Sequence, residues 1–499
     1  MIKKIIAVLL ILSFCITLFA CDKDENKPTE DYILPTEIID ADIALPYTEA
    51  DTLEPYAAKS SMNRDLIPVI YESLYTATED GKGAMQLAKE SEANGNKLTV
   101  KIHSNVKFSD GVEVNSAYIK ASFERAKNNP YYGPSLANVS SVAVIDTYTV
   151  SFTLLRQDPF AFNVLTFPII RISNGKYIGC GKYKLAYLDE TPYLQVNDLH
   201  RDYTSVWHKQ IALYNMAGLS GPIYPFKANQ ISVYKTDLSK TKYINLSSTT
   251  VYQNMNNLVY IGVNSKWAGS VASIDWVRQA MNIGISRAEI AAASFLGQAT
   301  PAITPFKDDF YQLKKDDLPS VQGELQKAVS LLERNGYTKF NDDGVRTNGS
   351  SALRVNILVC TENEYKLSVA EAVKSSLQDL GFGVTITQKK TAEDFVAALK
   401  EGHFTLYIGE TELPLNYDLI EFFSTNGELS YGIDDEFFKE YEAYEKGESS
   451  TMTFVEGFET EVPFIPLFYR KAIVSVNPNI VGFEQGNTYA TVSDWKVIK

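Results

Sequence analysis

The chain has 499 residues, with 61 Asp and Glu against 47 Lys and Arg, for a formal charge of −14. That acidic balance excludes nucleic acid as a partner, because such binding rests on Lys and Arg neutralising phosphates. Apolar residues at 45% and charged residues at 22% belong to a soluble globular chain, and the length exceeds one ordinary core, which predicts two or three lobes.

In chain order, Lys3 and Lys4 precede an apolar run from Ile5 to Ala20. The run is shorter than the roughly 20 residues of a spanning helix. With its basic start and small terminal residue, it describes a secretory signal peptide over residues 1–20. Leu18-Phe19-Ala20-Cys21 resembles the bacterial lipobox, so Cys21 is the expected lipidation site and the membrane a partner through it. Residues 22–31 offer no apolar side chain to bury, and 21–34 is expected to form a solvated leash. Of the four cysteines, Cys15 would leave with the signal and Cys21 would carry lipid. Cys180 and Cys360 remain and are expected as buried free thiols in different lobes, a disulfide being the alternative.

The first half is strand-rich: Leu98 to Ile102, Val142 to Ile145 and Thr149 to Leu154 alternate or are β-branched. Between them a helix from Ser116 to Ala126 would bury Ile119, Phe123 and Ala126. Gly and Pro from Gly218 to Pro225 mark a loop or lobe boundary. Ile274, Val277, Ala280 and Met281 form one helical stripe, and Leu325, Ala328, Val329 and Leu332 another, closed by Gly336. From Leu353 the pattern is clearest. Leu353, Val355, Ile357 and Val359 alternate as a strand, and Val369, Val373, Leu377 and Leu380 share a helix face ending at Gly381. Val384 and Ile386 begin a second strand. Thr391 with Asp394 forms a capping box before Phe395, Val396 and Leu399, and Phe404 to Ile408 reads as a third strand. This is β-α-β-α-β, the unit of an open α/β sheet.

No catalytic signature accompanies these elements: there is no Gly-x-Ser-x-Gly, His-Glu-x-x-His or Gly-x-x-x-x-Gly-Lys. His103, His200, His208 and His403 are scattered. The grouping of His200 and His208 with Asp198 and Asp202 reads as a surface loop rather than a metal site. An exported chain without catalytic groups points to binding, with no enzymatic activity, cofactor or metal expected.

Several stretches resemble the extracellular solute-binding proteins that serve peptide and nickel importers of the ATP-binding-cassette type. Lys97 to Ala126 carries Val106-Lys107-Phe108-Ser109-Asp110-Gly111 and then Phe123-Glu124-Arg125, similar to the family's strand, "v-k-F-S-D-G" and helix. Thr52-Leu53-Glu54-Pro55, Ile70-Tyr71-Glu72-Ser73-Leu74, Gly179-Cys180-Gly181-Lys182-Tyr183-Lys184-Leu185, Val277-Arg278-Gln279-Ala280, Ser286-Arg287-Ala288-Glu289-Ile290 with Gly297, and Pro463 to Phe468 follow in the family's order. The resemblance implies an α/β, two-lobed periplasmic-binding-protein-like fold of type II, with an extra inserted domain and two hinge crossovers near Tyr252 to Asn264 and Phe464 to Val476. Lobe I would comprise 35–59, 168–253 and 470–499, the inserted domain 60–167 and lobe II 254–469. Phe108 to Gly111 and Arg278 would be scaffold.

It also implies a receptor that captures an oligopeptide or dipeptide-like ligand between its lobes and delivers it to a permease and ATPase complex, acting as a monomer. A metal-chelate receptor of the nickel type, or a peptide sensor that has lost transport, are the alternatives. Ligands of open α/β sheets bind beyond the carboxyl ends of the strands, which directs attention to Gly409-Glu410-Thr411-Glu412-Leu413. Peptide-binding members have "W-x-x-D-Y" there, with the aspartate on the peptide's α-amino group. Glu412 stands at that aspartate's place, and the family's tryptophan and tyrosine are missing. Glu412 is therefore either an amine partner or a solvated carboxylate. Glu410 beside it, and Asn264 and Trp267 near the first crossover, complete the expected ligand contacts, the last two being equally readable as hinge packing.

Overall fold

A computed structural model of the chain describes residues 41–236, 246–247, 249–295, 297–314, 316, 318, 320–484, 489 and 491–498. The expected signal peptide, Cys15, Cys21 and the leash lie outside the described residues.

The first lobe is built on a sheet in which strand Ala44–Tyr47 runs parallel to Gln210–Asn215, followed by antiparallel Thr191–Val196 and Tyr183–Leu188. Against it packs helix Ser61–Ile70, whose start is fixed twice. The Ser60 hydroxyl accepts from the Asn63 N–H, and Asp51 Oδ2 accepts from the Lys59 and Ser60 amides at 2.8 and 2.7 Å. Leu66, Ile67, Val69 and Ile70 of this helix share one core with Leu45, Tyr183, Leu194, Ile211, Val474 and Trp495. The insertion is expected from residue 60, but the apolar face of this helix completes the first lobe, and the second core begins only at Leu74.

The inserted domain is an antiparallel sheet in the order Ala88–Asn94, Lys97–Ile102, Thr149–Leu154, Val139–Asp146. Helix Ser116–Lys127 covers it and buries Ile119, Phe123 and Ala126, as its periodicity requires. Phe108 is wholly buried and meets the Tyr118 ring edge-on at 5.0 Å. Gly111 follows at φ +91°, where a side chain would be strained. The phenylalanine-to-glycine motif is thus a turn that anchors this core.

A seven-stranded sheet runs from the first lobe into the second in the order Val233–Thr236, Phe464–Val476, Thr250–Val263, Leu406–Glu412, Arg354–Cys360, Gly383–Lys389, with Ala299–Pro301 also on Phe464–Val476. The last three strands are parallel and are linked by helices Glu364–Asp379 and Ala392–Glu401, the expected β-α-β-α-β unit. Gly381 ends the first of these helices at φ +89°, and Thr391 Oγ1 caps the second by accepting from the Asp394 N–H at 3.1 Å. Val396 departs from its predicted stripe and stays exposed while Leu399 is buried. One sheet face is aliphatic and packs under helices Asp275–Gly284 and Glu364–Asp379; the other is aromatic. Two tyrosines stand directly across from glycines on neighbouring strands, Tyr260 opposite Gly409 and Tyr407 opposite Gly262. A Cβ on Gly262 would lie 1.9 Å from the Tyr407 ring, and one on Gly409 2.3 Å from Tyr260.

Strands Thr250–Val263 and Phe464–Val476 carry the chain between lobes. Residues 250–254 pair with 471–475, and 258–262 with 464–469. Val474 and Val476 are buried in the first lobe's core, whereas Ile465, Leu467 and Phe468 are buried in the second's. Between the two stretches, Met255, Asn256 and Asn257 oppose Arg470, a bulge that breaks the ladder.

The inserted domain also grips the second lobe. Phe160 is 5% exposed and inserts among Phe310, Tyr311 and Tyr444. Beside it Arg156 bonds Asp418 and, through Nε at 2.6 Å, Glu445. Asn416 Nδ2 donates to Asp158 at 2.5 Å, and Asn163 Nδ2 to the Gly81 and Leu415 carbonyls.

Candidate ligand cleft

The bulge is held by its own amide side chains, and every partner is in the second lobe. Asn254 accepts from Thr300 Oγ1 at 3.2 Å, Asn256 from Lys307 Nζ at 2.6 Å, and Asn257 donates to Glu410 Oε1 at 3.4 Å. Residues 254–257 are therefore fastened to the second lobe, and bending is left to the ladder on their amino-terminal side. Lys307 is 7% exposed and meets no carboxylate directly. Burial brings its ammonium down to about 8, Asp309 and Glu79 opposing the shift more weakly. Between pH 8 and 10.5 the unfolded chain binds more protons at this site than the folded one, so stability rises with pH across that window. Relative to Lys307→Met, the wild type is expected to gain about 2–3 kcal/mol on going from pH 7 to 10. Chemical denaturation at each pH measures it; parallel pH profiles for the two proteins would refute the assignment.

The four residues singled out from sequence do not form one site. Strand Leu406–Glu412 continues through the segment read as a loop, with Glu412 paired to Asn257 and Leu406 to Val263. Asn264 and Trp267 follow Val263, so they stand about 20 Å from Glu412 along the strand direction. Asn264 is 3% exposed and spends its amide on the Gly402 and Phe404 carbonyls at 2.9 and 3.0 Å. Trp267 is exposed in the following turn, its carbonyl accepting from Ser270. Both belong to the far edge of the second lobe, because a strand has two ends and the sequence does not say which one faces the cleft. Glu410 is at the cleft end but committed: it accepts from Arg470 Nε at 2.5 Å and from the Tyr365 hydroxyl, with Lys366 at 3.6 Å.

Glu412 is different. It is exposed, and its carboxylate has no hydrogen-bond or ion-pair partner among the described residues. Tyr131 of the inserted domain, 51% exposed, feels the Glu412 charge. The Arg64 guanidinium of helix Ser61–Ile70 lies 4.4 Å from the centre of the Tyr131 ring. Burial pushes the Tyr131 phenol up; Arg64 opposes that shift, and Glu412 and Asp65 add to it. Asp65 itself is paired with Lys235 at 2.9 and 3.1 Å. Arg64 of the first lobe thus meets Tyr131 of the inserted domain, within range of the charge of Glu412 in the second lobe. Arg64 and Tyr131 were missed from sequence, since 67 residues and a whole sheet separate them and neither belongs to a motif.

The histidine expectation needs correction. His200 is buried rather than in a surface loop: its Nε2 sits 3.2 Å from Glu72 Oε1, while Arg201 holds the same carboxylate through two bonds of 2.7 Å. Burial alone would raise the Glu72 pKa; the bonds from His200 and Arg201 lower it overall. The cluster ties the start of the inserted domain to the loop before Tyr203. Among the described residues no group of three His, Cys, Asp or Glu could hold a metal, and no helix is long and apolar enough to cross a membrane. Cys180 and Cys360 are both free and buried. Arg278 is scaffold, bonded to Glu461 and Ala272 carbonyls and to Asp275.

Two lobes joined by paired crossover strands, with charged and aromatic groups facing each other between them, define a solute-binding receptor fold. The chain belongs to the bacterial extracellular solute-binding proteins, family 5, whose model matches residues 66–425. Members of this family bind peptides or other small ligands and work with ABC permeases and ATPases on the extracytoplasmic side. The glutathione-binding protein GsiB of Salmonella typhi is 24% identical over 285 residues, covering 50% of this chain and 53% of that protein, so the chain spans about half the length of the relatives it matches. Among solved structures it is similar to a nickel ABC transporter protein from Bacillus halodurans, at TM-score 0.73, 17% identity, 89% of this chain and 96% of that one. It is also similar to the unliganded open form of the murein tripeptide-binding protein MppA, at TM-score 0.72, 15% identity, 92% of this chain and 97% of that one.

Proposed function

We propose that this chain is a receptor, tethered to the membrane through lipidated Cys21, that captures a peptide-like solute between its lobes and hands it to an ABC importer. The observation that carries the reading is Glu412. It is an exposed carboxylate without a partner among the described residues, at the cleft end of a central strand, beside a neighbour, Glu410, that is fully engaged. A carboxylate so placed suits the α-ammonium of a peptide. Ligand that touches both lobes only when they approach shifts the population towards the closed form, which the permease would then recognise.

A library of two- to six-residue peptides is expected to raise the melting temperature of the wild type. Glu412→Gln is expected to weaken amine-bearing ligands by about tenfold or more, the worth of one charge-assisted hydrogen bond, as read by calorimetry. No thermal shift with any peptide would remove the peptide reading, and unchanged affinity in the variant would remove Glu412 from the site. A second reading, capture of a chelated metal, is supported by likeness to a nickel transporter protein; calorimetry with a metal and its chelator separates the two.

A further inference from the structure

Of the eleven arginines in the chain, seven reach a carboxylate: Arg156, Arg171, Arg201, Arg278, Arg346, Arg354 and Arg470. Arg125 and Arg334 are exposed. Arg287 is 1% exposed and saturated by the Asn282, Ile285, Ala302 and Pro466 carbonyls and the Asn282 amide oxygen. Arg64 fits none of these classes. It is half-buried, one nitrogen donates to the Lys59 carbonyl, and its Nε and Nη2 have no acceptor among the described residues. In a chain of charge −14, a half-buried guanidinium left without a carboxylate is an unfilled recognition group. A buried or half-buried arginine otherwise finds an anion or, like Arg287, a full set of neutral acceptors.

The guanidinium is also held in place. Its Cζ lies over the Tyr131 ring, 4.4 Å from the centre, a cation–π contact that holds the head group in place. Tyr131 is in turn fixed by Asn129, whose Oδ1 accepts from the Tyr131 and Tyr132 amides at 2.9 and 3.2 Å and whose Nδ2 donates to the Tyr56 carbonyl at 2.7 Å. The Tyr132 ring braces it edge-on at 4.9 Å. The Tyr131 hydroxyl has no hydrogen-bond partner among the described residues either. The nearby acid on the same helix, Asp65, is occupied by Lys235, so it neither neutralises Arg64 nor repels an incoming anion at full strength.

The geometry points to Arg64 and the Tyr131 hydroxyl as the cleft's anchor for a carboxylate of the ligand, which makes the solute a zwitterion held between this pair and Glu412. This rests on the peptide reading and sharpens it. The receptor would select peptides with both a free amine and a free carboxylate, and would reject those with a blocked carboxyl end.

The test uses two libraries of two- to six-residue peptides lacking Asp and Glu, one of free acids and one of C-terminal amides. Each is incubated with the full chain, and the retained peptides are counted by mass spectrometry. Wild type is expected to favour free acids by about tenfold, the worth of one charge-assisted fork. Arg64→Gln should bring that ratio to about one while keeping its preference for free over acetylated amines. Arg64→Lys, which keeps the charge and loses the fork, should fall between, and Tyr131→Phe should reduce the ratio with the guanidinium still over the ring. If wild type retains acids and amides equally, or Arg64→Gln keeps the preference, the anchor is wrong and the peptide reading stands. If neither library is retained, both are wrong.

Discussion

Replacing Arg156 with methionine is expected to cost about 4 kcal/mol at pH 8 and less than half of that at pH 5.5. Arg156 is the cation between Asp418 and Glu445, with side-chain exposures of 28%, 16% and 11%. Removing it leaves two facing carboxylates, and Asp158 close by, in a site that water reaches poorly. Even with Arg156 present, burial is the largest influence on Glu445 and on Asp158. Glu445 is pushed up to about 7 and Asp158 to about 6. A carboxylate whose folded pKa lies above its unfolded value binds more protons in the folded state, so the stability of the fold falls as pH rises through that interval. For Glu445 the interval runs from about 4.5 to 7, and loss of the guanidinium extends it upward. Acidification should therefore rescue the variant by neutralising the orphaned acids. Chemical denaturation at the two pH values measures it, and an equal loss at both would show that the arginine acts through packing alone.

The second large effect is expected at the crossover. Arg470→Met should lower stability by about 3 kcal/mol, because Arg470 and Glu410 have side chains only 1% and 10% exposed. The double variant Arg470→Met/Glu410→Gln should recover most of the loss, since a neutral amide can still accept from Asn257 through its oxygen and donate to the Tyr365 hydroxyl through its nitrogen. Tyr365 and Lys366 remain to hold the single variant's carboxylate, which keeps the figure at the lower end of the range for broken buried pairs. The midpoint of denaturation should move with its slope unchanged; a double variant no better than the single one would show that Arg470 matters for its shape and not its charge.

These two arginines differ in how visible they are from sequence. Arg470 ends a β-rich apolar run, and a charge there is readable as a paired residue, but its partner is 60 positions away. Arg156 follows a strand and carries no periodic signal at all. What was legible is what is local: the alternation at 353–359, the helix stripe ending at Gly381, the cap at Thr391, and the turn at Asp110-Gly111. Each depends on neighbours within one or two turns of chain. The length of strand Leu406–Glu412 was not legible, because Gly409 and two glutamates are poor strand formers in isolation. Tyr260 covers that glycine, and Arg470 neutralises one of those glutamates, from strands remote in sequence. His200 was misread for the same reason, since Glu72, which draws it inside, precedes it by 128 positions. The candidate site was half legible: Glu412 could be placed by resemblance, whereas Arg64 and Tyr131 meet only after the first lobe and the inserted domain have both folded.

The tyrosine–glycine pairs across the two central strands of the second lobe carry a consequence for descent. With Tyr407 lying over Gly262 and Tyr260 over Gly409, neither glycine can acquire a side chain while the opposing ring stays, and neither ring can shrink without opening a hole above bare backbone. A lineage cannot walk through these four positions one codon at a time. They should be inherited together or exchanged as a block, so a relative that has lost one tyrosine should have filled the facing glycine.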